Sequence, residues 1–318
     1  MADFPHTVYP DTVSVDSVDL SRRVLELHDI RKAYGSLAVL DGLSLSVNEG
    51  EIFGFLGRNG AGKSTAIRMI MGITKSDAGE IRLFGESLHS DLIKLRQRIG
   101  YVAQEQNMYP WMSPKVISRF VRGFYPRWDE KRFQSLMADF ELPLKRRIGT
   151  FSGGMKAKLA LTLALSGQPE LLILDEPTAG MDPVARREFL DLVKEQVDKD
   201  GTSTFFSTHL IDEIEAVADR IAIVESGRAI YEGRLDLLRN SIASWSIDSD
   251  DYIPGGMPGL FANERLRVLG EKKRRGRVFL ILQFPEAALA SNEIILNPGW
   301  RYESMSLEDA FIALVANA

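Results

Sequence analysis

Residues Gly57–Ser64 read GRNGAGKS, a full match to the pattern G-x-x-x-x-G-K-[ST]. The run before it, IFGFL (Ile52–Leu56), has the apolar character of a strand, and the run after it, TAIRMIMG (Thr65–Gly72), has the spacing of a helix. Strand, glycine-rich turn and helix are the context this motif needs. Its glycines let backbone N–H groups converge on phosphate oxygens, and the helix N-terminus adds the positive end of its dipole. On this reading Gly57, Arg58, Asn59, Gly60, Ala61 and Gly62 form the loop. Lys63 reaches the β- and γ-phosphates, the Ser64 hydroxyl ligates Mg²⁺, and Thr65 completes the binding set.

Working outward, LLILDEP (Leu171–Pro177) sets four apolar residues ahead of two acids. A central strand would carry Asp175 to its end, where the carboxylate holds the Mg²⁺ shell. Glu176 is then the candidate that polarises the attacking water. Alone, the string reads equally as a capping Asp175 and a surface Glu176; the phosphate loop decides for the metal. Further runs of strand character, VLELHDI, LSLSV, GEIRLFG, RIGYVAQ, STFFSTH and RIAIVES, alternate with helical stretches such as PVARREFLDLVKEQVD. This is an α/β pattern with a largely parallel core sheet.

From about residue 105 the pattern changes. Pro110, Pro114, Pro126 and Pro143 stand among aromatic and basic residues, and WDEKRFQSLMADF spaces Trp128, Phe133, Leu136, Met137 and Phe140 as a helix. A helical insertion over about 105–168 is expected. Past Gly233, Asp248, Asp250 and Asp251 precede the turn-rich IPGGMPG, which suits a boundary. RVFLILQF then reads as a buried strand, and SLEDAFIALV as a final helix capped by Ser306. The expected organisation is a loosely held extension over 1–22, a main domain over 23–240 and a small α+β domain over 241–318.

The 318 residues suit about two domains at roughly 150 residues each. With 45% hydrophobic and 26% charged residues the chain falls in the soluble globular range, and no stretch approaches the roughly 18 apolar residues of a membrane span. Thirty-nine basic against 44 acidic side chains leave a net charge of -5, so no nucleic-acid partner is expected. The absence of cysteine excludes disulfide scaffolds, thiol catalysis and thiolate metal sites. MADFPHTVYPDTVSVDS lacks the basic and apolar regions of a secretory signal, which makes the cytoplasm the expected compartment. Between Pro110 and Thr150 nine Lys or Arg face four acids, a local balance of +5. That excess suits an anionic inner leaflet or an acidic partner segment, and equally an ordinary solvated face. The run KKRR (residues 272–275) is expected at a hairpin turn beside RVFLILQF, since from Ser241 on eight bases face ten acids.

Five further elements stand in order along the chain. Tyr34 lies in RKAYGSLAVLDGLSL, Gln104 closes YVAQ, and Phe151–Lys156 read FSGGMK. Because KAKLALTLALS looks like a helix, Ser152, Gly153 and Gly154 fall at its N-terminus, a place for an anion and equally for a Ser cap with a tight turn. Ala179–Asp182 read AGMD ahead of Pro183, which is also an ordinary helix start. His209 follows a strand in FFSTHL and is the one histidine with a motif context; His6, His28 and His89 read as surface or structural.

Together with the phosphate loop and LLILDEP, these elements resemble the nucleotide-binding subunits of ABC transporters over about Val24–Gly233. The resemblance implies a RecA-like P-loop nucleoside triphosphatase with a mostly parallel core sheet, an antiparallel β portion and a helical insertion. It implies an ATPase that binds ATP with Mg²⁺. Gln104 would link the metal, as a ligand, and the attacking water to a membrane partner, His209 would contact the γ-phosphate and Tyr34 would stack on adenine. FSGGMK is similar to the signature LSGGQ, with Phe151 for Leu and Met155 for Gln. In the family that signature faces the ATP held by a second nucleotide-binding subunit, here a copy or a paralogue, in a head-to-tail dimer whose interface the Asp182 loop crosses, with Ala179 for the commoner Ser.

The single unit, the tail of about 80 residues and the ending SLEDAFIALV are similar to bacterial exporter ATPases. These work with a separately encoded membrane permease, which implies a peripheral position on the inner face of the cell membrane. A competing class is the soluble ABC ATPases that act on DNA or ribosomes. DNA-repair members place a very long coiled coil between phosphate loop and signature, but Gly57 and Ser152 are only 95 residues apart here. Translation-linked members carry two cassettes where this chain has one.

Overall fold

Short apolar runs bounded by glycine and polar residues build two sheets in the first part of the chain, because a buried strand needs only a few residues where a helix needs several turns. A computed structural model describes residues 22–253, 259–260, 267–284, 295–296 and 299–316. The extension expected over residues 1–22 lies, apart from Arg22, outside the described residues, as does most of IPGGMPG. Two compact units are present, Arg22–Asp236 and the described residues from Leu237 on.

In the first unit, β1 (Arg23–Tyr34) pairs antiparallel with β2 (Leu37–Asn48) and, on its other side, with β4 (Ala78–Leu83), which β5 (Glu86–Ser87) extends. Strict alternation after the buried Leu25 and Leu27 would drive Asp29 into the core. Instead the register shifts between Leu27 and Ile30, and Asp29 takes a φ of 47°. This bulge turns the acid outward and returns Ile30 to the interior.

The second sheet runs β10-β9-β3-β8-β7-β6: β3 (Ile52–Gly57), β6 (Ile99–Val102), β7 (Leu171–Asp175), β8 (Ser203–Thr208), β9 (Arg220–Glu225) and β10 (Arg228–Arg234). Every pair is parallel except the β9–β10 hairpin. Strands β3, β7 and β8 are buried along their whole length; the apolar runs of β3 and β7 suit strands covered on both faces, while β8 buries Phe205 and Phe206 between pairs of hydroxyl residues. Phe205 on β8 lies 6.0 Å from Phe53 and 5.0 Å from Phe55 by ring centroids, and deleting one such ring costs about 3–5 kcal/mol. The parallel strands bring the loops that follow β3, β6, β7 and β8 to one edge of the sheet, where α/β proteins place their ligands.

Helix α1 (Lys63–Ile70) follows β3, and α2 (Leu92–Arg96) precedes β6. The insertion holds α3 (Pro114–Arg122), α4 (Glu130–Asp139), a 3-10 turn at Ile148–Thr150 and α5 (Gly153–Ser166). Trp128 falls outside the helix expected from its spacing. The Asp129 side chain accepts from Arg132 N and starts α4 one residue later, while the Trp128 ring still packs 5.7 Å from Phe133. Residues 161–166 of α5 are all buried, which explains its apolar sequence on nearly every side. Helices α6 (Pro183–Asp200), closed by Gly201 at φ 64°, and α7 (Ile211–Val217) flank β8. The division between units falls inside α8 (Leu235–Ser241).

The second unit is an antiparallel sheet in the order β13-β14-β11-β16: β11 (Ile242–Asp248), β13 (Arg267–Arg274), β14 (Arg277–Gln283) and β16 (Arg301–Glu303). A two-residue ladder joins β12 (Gly259–Leu260) to β15 (Ile295–Leu296). KKRR runs into the β13–β14 turn, where Arg275 and Gly276 take φ of 50° and 74°. RVFLILQ alternates, and its buried Val278, Leu280 and Leu282 share a core with Ala243, Trp245 and Ile247. The last helix, α9 (Leu307–Val315), starts where Ser306 Oγ accepts from Asp309 N at 3.1 Å.

Candidate active site

The phosphate loop joins β3 to α1. Gly60 and Gly62 hold φ of 86° and 102°, and a Cβ on Gly62 would stand 2.6 Å from Leu40 Cδ2 and 2.9 Å from Val39 O. Only glycine fits there. The contact is with β2, so the hairpin that carries Tyr34 packs against the loop. Tyr34 itself is 49% exposed, with Lys32 Nζ 5.5 Å above its ring. Helix α1 begins without a side-chain cap, which leaves the N–H groups of its first turn, including those of Ser64 and Thr65, for a ligand. A cleft of about 490 Å³ opens beside the loop, lined by Arg58, Asn59, Gly60 and Ala61 with His209, Glu225 and Ser226. Another cleft, about 330 Å³, is crossed by its own ion pairs of Arg31 and Arg228 to Asp41 and includes none of the expected site residues.

Three sequence-predicted residues meet at a fourth, Glu176. The Lys63 ammonium, 4% exposed, lies 3.1 Å from Glu176 Oε1 and donates to Gly57 O at 2.8 Å. Gln104 Nε2 donates to Glu176 Oε2 at 3.3 Å, and His209 Nδ1 lies 3.1 Å from the same oxygen. Lys63 is the first residue of α1, and the Gln104, Glu176 and His209 side chains come from the loops after β6, β7 and β8. Gln104 is thus not the last residue of a strand; β6 ends at Val102 and the glutamine sits on the loop beyond it. Glu176 has a φ of 42°, uncommon for a residue with a long side chain, and is anchored by its N–H to Ser207 O at 3.0 Å.

Asp175 ends β7 with 5% exposure, and its Oδ1 accepts from Ser207 Oγ at 2.9 Å. Burial pushes this carboxyl above the usual carboxylate range; the Glu176 charge adds to the rise, and the Ser207 hydroxyl, Lys63 and Arg68 oppose it. A carboxylate so placed gains from a cation. Among the described residues no group of three or more His, Asp or Glu could hold a metal unaided. Mg²⁺ takes one or two protein oxygens and completes its shell with water and phosphate. Ser64 and Asp175 supply oxygens of that kind.

Ser152, Gly153, Gly154 and Asp182 form a separate group at two neighbouring helix starts. Ser152 Oγ accepts from Met155 N at 3.2 Å as the cap of α5, and Asp182 Oδ1 accepts from Val184 N and Ala185 N at 3.0 Å as the cap of α6. A Cβ on Gly154 would stand 3.8 Å from Ala185, which sets the two starts side by side. The backbone bonds hold the Asp182 carboxyl below the usual range. Gly153 has no positive φ, and a Cβ there would meet nothing within 4 Å among the described residues. Neither turn geometry nor packing inside the chain demands glycine at this position.

Sequence reasoning missed Ser207 and a buried trio of Thr178, Thr208 and Glu213 behind the site. Ser207 carried a signal, since a polar residue inside the strand STFFST opposite Asp175 must find a partner. Among the described residues no helix is long and apolar enough to cross a membrane.

Residues 40–179 match the family model described as ABC transporter. The linearmycin resistance ATP-binding protein LnrL of Bacillus subtilis is 39% identical over 66% of this chain and 69% of its own. The Nod factor export ATP-binding protein I of Rhizobium etli is 37% identical over 78% of this chain and 80% of its own. A solved ATP-binding subunit of an ABC transporter is 31% identical and superposes with a TM-score of 0.63 over 68% of this chain and 92% of its own. Sequence relatives and structural likeness agree with a phosphate loop and a carboxylate gathered at one sheet edge: the chain belongs to the ABC transporter family, as an ATP-binding subunit and ATPase.

Proposed function

We propose that this ATPase drives an exporter, working as a head-to-tail pair of nucleotide-binding subunits against a membrane permease. The observation that carries the reading is the convergence of Lys63, Gln104 and His209 on the Glu176 carboxylate. The direction of transport rests on the relative named for Nod factor export.

The phosphate loop and the uncapped start of α1 bind the phosphates of ATP, with Lys63 on the β- and γ-groups and Tyr34 under the adenine. Bound Mg²⁺ would supply charge neutralisation, and Ser64, Asp175 and Gln104 are the residues that would hold it. Phosphate competes with Glu176 for the Lys63 ammonium, so ATP binding frees the carboxylate. Glu176 then accepts a hydrogen bond from the attacking water and takes up its proton as the water oxygen bonds to the γ-phosphorus and the bond from that phosphorus to the β–γ bridging oxygen breaks, ADP leaving with the electron pair. His209, held 3.1 Å from Glu176, steadies that oxygen and reaches the γ-phosphate.

The glycine at position 153, unexplained by its own chain, is accounted for if a second subunit's nucleotide approaches Ser152–Gly154 closely, with Asp182 beside it at the interface. The Gln104 loop leads into the insertion, where Trp111, Phe120 and Phe124 are 65%, 54% and 58% exposed among Lys115, Arg119 and Arg122. Exposed aromatics in this number mark an interaction face, and it is the place for the permease, with the chain peripheral on the inner membrane surface. The residues 23–240 form the ATPase domain and 241–318 an accessory domain. Affinity capture from solubilised membranes tests the reading: recovery of an integral membrane protein that stimulates ATP turnover is expected, and recovery of ribosomes or DNA without one would overturn it.

A further inference from the structure

Glu213, on α7, is a carboxylate with 1% of its surface exposed, and nothing in the reaction above uses it. Thr178 Oγ1 donates to Glu213 Oε1 and Thr208 Oγ1 to Oε2, each at 2.5 Å, and Arg186 Nε lies 3.4 Å from Oε1. Thr208 Oγ1 also accepts from Leu210 N at 3.0 Å. Thr178 comes two residues after Glu176, Thr208 immediately before His209, and Arg186 four residues after Asp182. One buried acid therefore ties together the loops that carry the water-polarising carboxylate and the histidine, and the helix that starts at the expected interface.

Stability is a poor explanation for this acid. Burying an ionised carboxylate is costly even when it is paired, and an apolar side chain of similar volume often serves a core as well. Two hydroxyl bonds, one from the loop after β7 and one from the end of β8, do something an apolar residue would not: they fix direction. We propose that Glu213 is a positioning residue for hydrolysis, holding Glu176 in its φ 42° conformation and the His209 backbone in register so that both side chains meet at one point, with Arg186 linking that point to α6. The proposal rests on the roles assigned above to Glu176 and His209.

The test uses the full chain and variants that preserve volume. Glu213→Gln keeps size but offers one carbonyl acceptor to two donors. Thr178→Val deletes one hydroxyl, and Thr178→Ser retains it. Displacing a reacting group by about 1 Å can cost on the order of 10²-fold. Glu213→Gln and Thr178→Val should therefore lower kcat tenfold or more with KM for ATP within about twofold, while Thr178→Ser stays within about twofold of wild type in both. Amide exchange over residues 176–181 and 207–210 should quicken in Glu213→Gln while residues 57–64 stay protected. Wild-type kcat with unchanged exchange in Glu213→Gln would overturn the proposal. So would kcat, ATP affinity and Tm falling together with Thr178→Ser no better than Thr178→Val, the pattern of a merely structural residue. Glu176→Gln and His209→Ala are measured alongside. If either hydrolyses ATP at the wild-type rate the underlying reading fails, whereas their loss beside a fully active Glu213→Gln rejects the positioning role alone.

Discussion

Replacing Glu176 by Gln keeps the side chain's size and removes its charge. The structure shows what changes: Oε1 loses its 3.1 Å ion pair with Lys63, while Lys63 keeps its bond to Gly57 O, so the loop retains its shape. A positioned proton acceptor is worth typically 10²–10⁴-fold in rate. At 1.36 kcal/mol per tenfold, the barrier should rise by about 3–5 kcal/mol. Affinity should move the other way. On the proposed reading phosphate displaces Glu176 from Lys63 in the wild type, and in the variant that competitor is neutral, so ATP should bind as tightly or up to about tenfold more tightly. Single-turnover hydrolysis and titration with a fluorescent nucleotide report the two quantities separately. Hydrolysis above a tenth of the wild-type rate would refute the role of Glu176. A Kd for ATP weakened more than tenfold would show that the carboxylate holds Lys63 in place instead of competing for it.

Three other outcomes follow from the geometry. Gly153→Ala should leave Tm unchanged or slightly higher, since a Cβ there meets nothing within 4 Å, yet it should impair ATPase activity by crowding a second subunit's nucleotide; full activity would remove the argument for close approach. Phe120→Glu, at a side chain 54% exposed, should alter stability by no more than about 0.5 kcal/mol and leave the chain's own ATPase intact while abolishing capture of the permease, and undiminished capture would move the docking face elsewhere. A chain ending near Ser241 should still bind Mg-ATP by isothermal titration, because the second unit has its own core around Trp245 and Leu280; a folded fragment that binds no nucleotide would show that the tail helps build the site.

The candidate site was legible where chemistry constrains several consecutive residues at once. GRNGAGKS needs glycines at fixed places, and LLILDEP needs an apolar strand ending in acids, so each string announces its own geometry. What was hidden depends on the third dimension. DEIEAV reads as a solvated acidic helix start, and nothing in it says that Glu213 is buried while Asp212 is exposed; only the packing of α7 beneath the loops of Thr178 and Thr208 distinguishes them. The Asp29 bulge shows the same limit, because alternation alone puts the acid inside. Trp128 fits the helical period and yet precedes the helix, since a capping Asp129 outweighs the pattern. Gly153 shows the converse, a sequence feature the chain's own fold leaves unexplained, which points outside the chain.

Under the proposed function each hydrolytic site is completed by a second subunit, with Lys63 and Glu176 from one subunit and Ser152–Gly154 from the other. Mixing Lys63→Ala chains with Ser152→Arg chains tests it most directly. Each variant alone should be inactive, because both of its sites lack one element. A mixed dimer regains one site with every element present, and random pairing makes half the dimers mixed with one of two sites intact, so an equal mixture should recover roughly a quarter of the wild-type ATPase rate. An inactive mixture in which mixed dimers demonstrably form, or wild-type hydrolysis by Ser152→Arg alone, would contradict completion across the dimer.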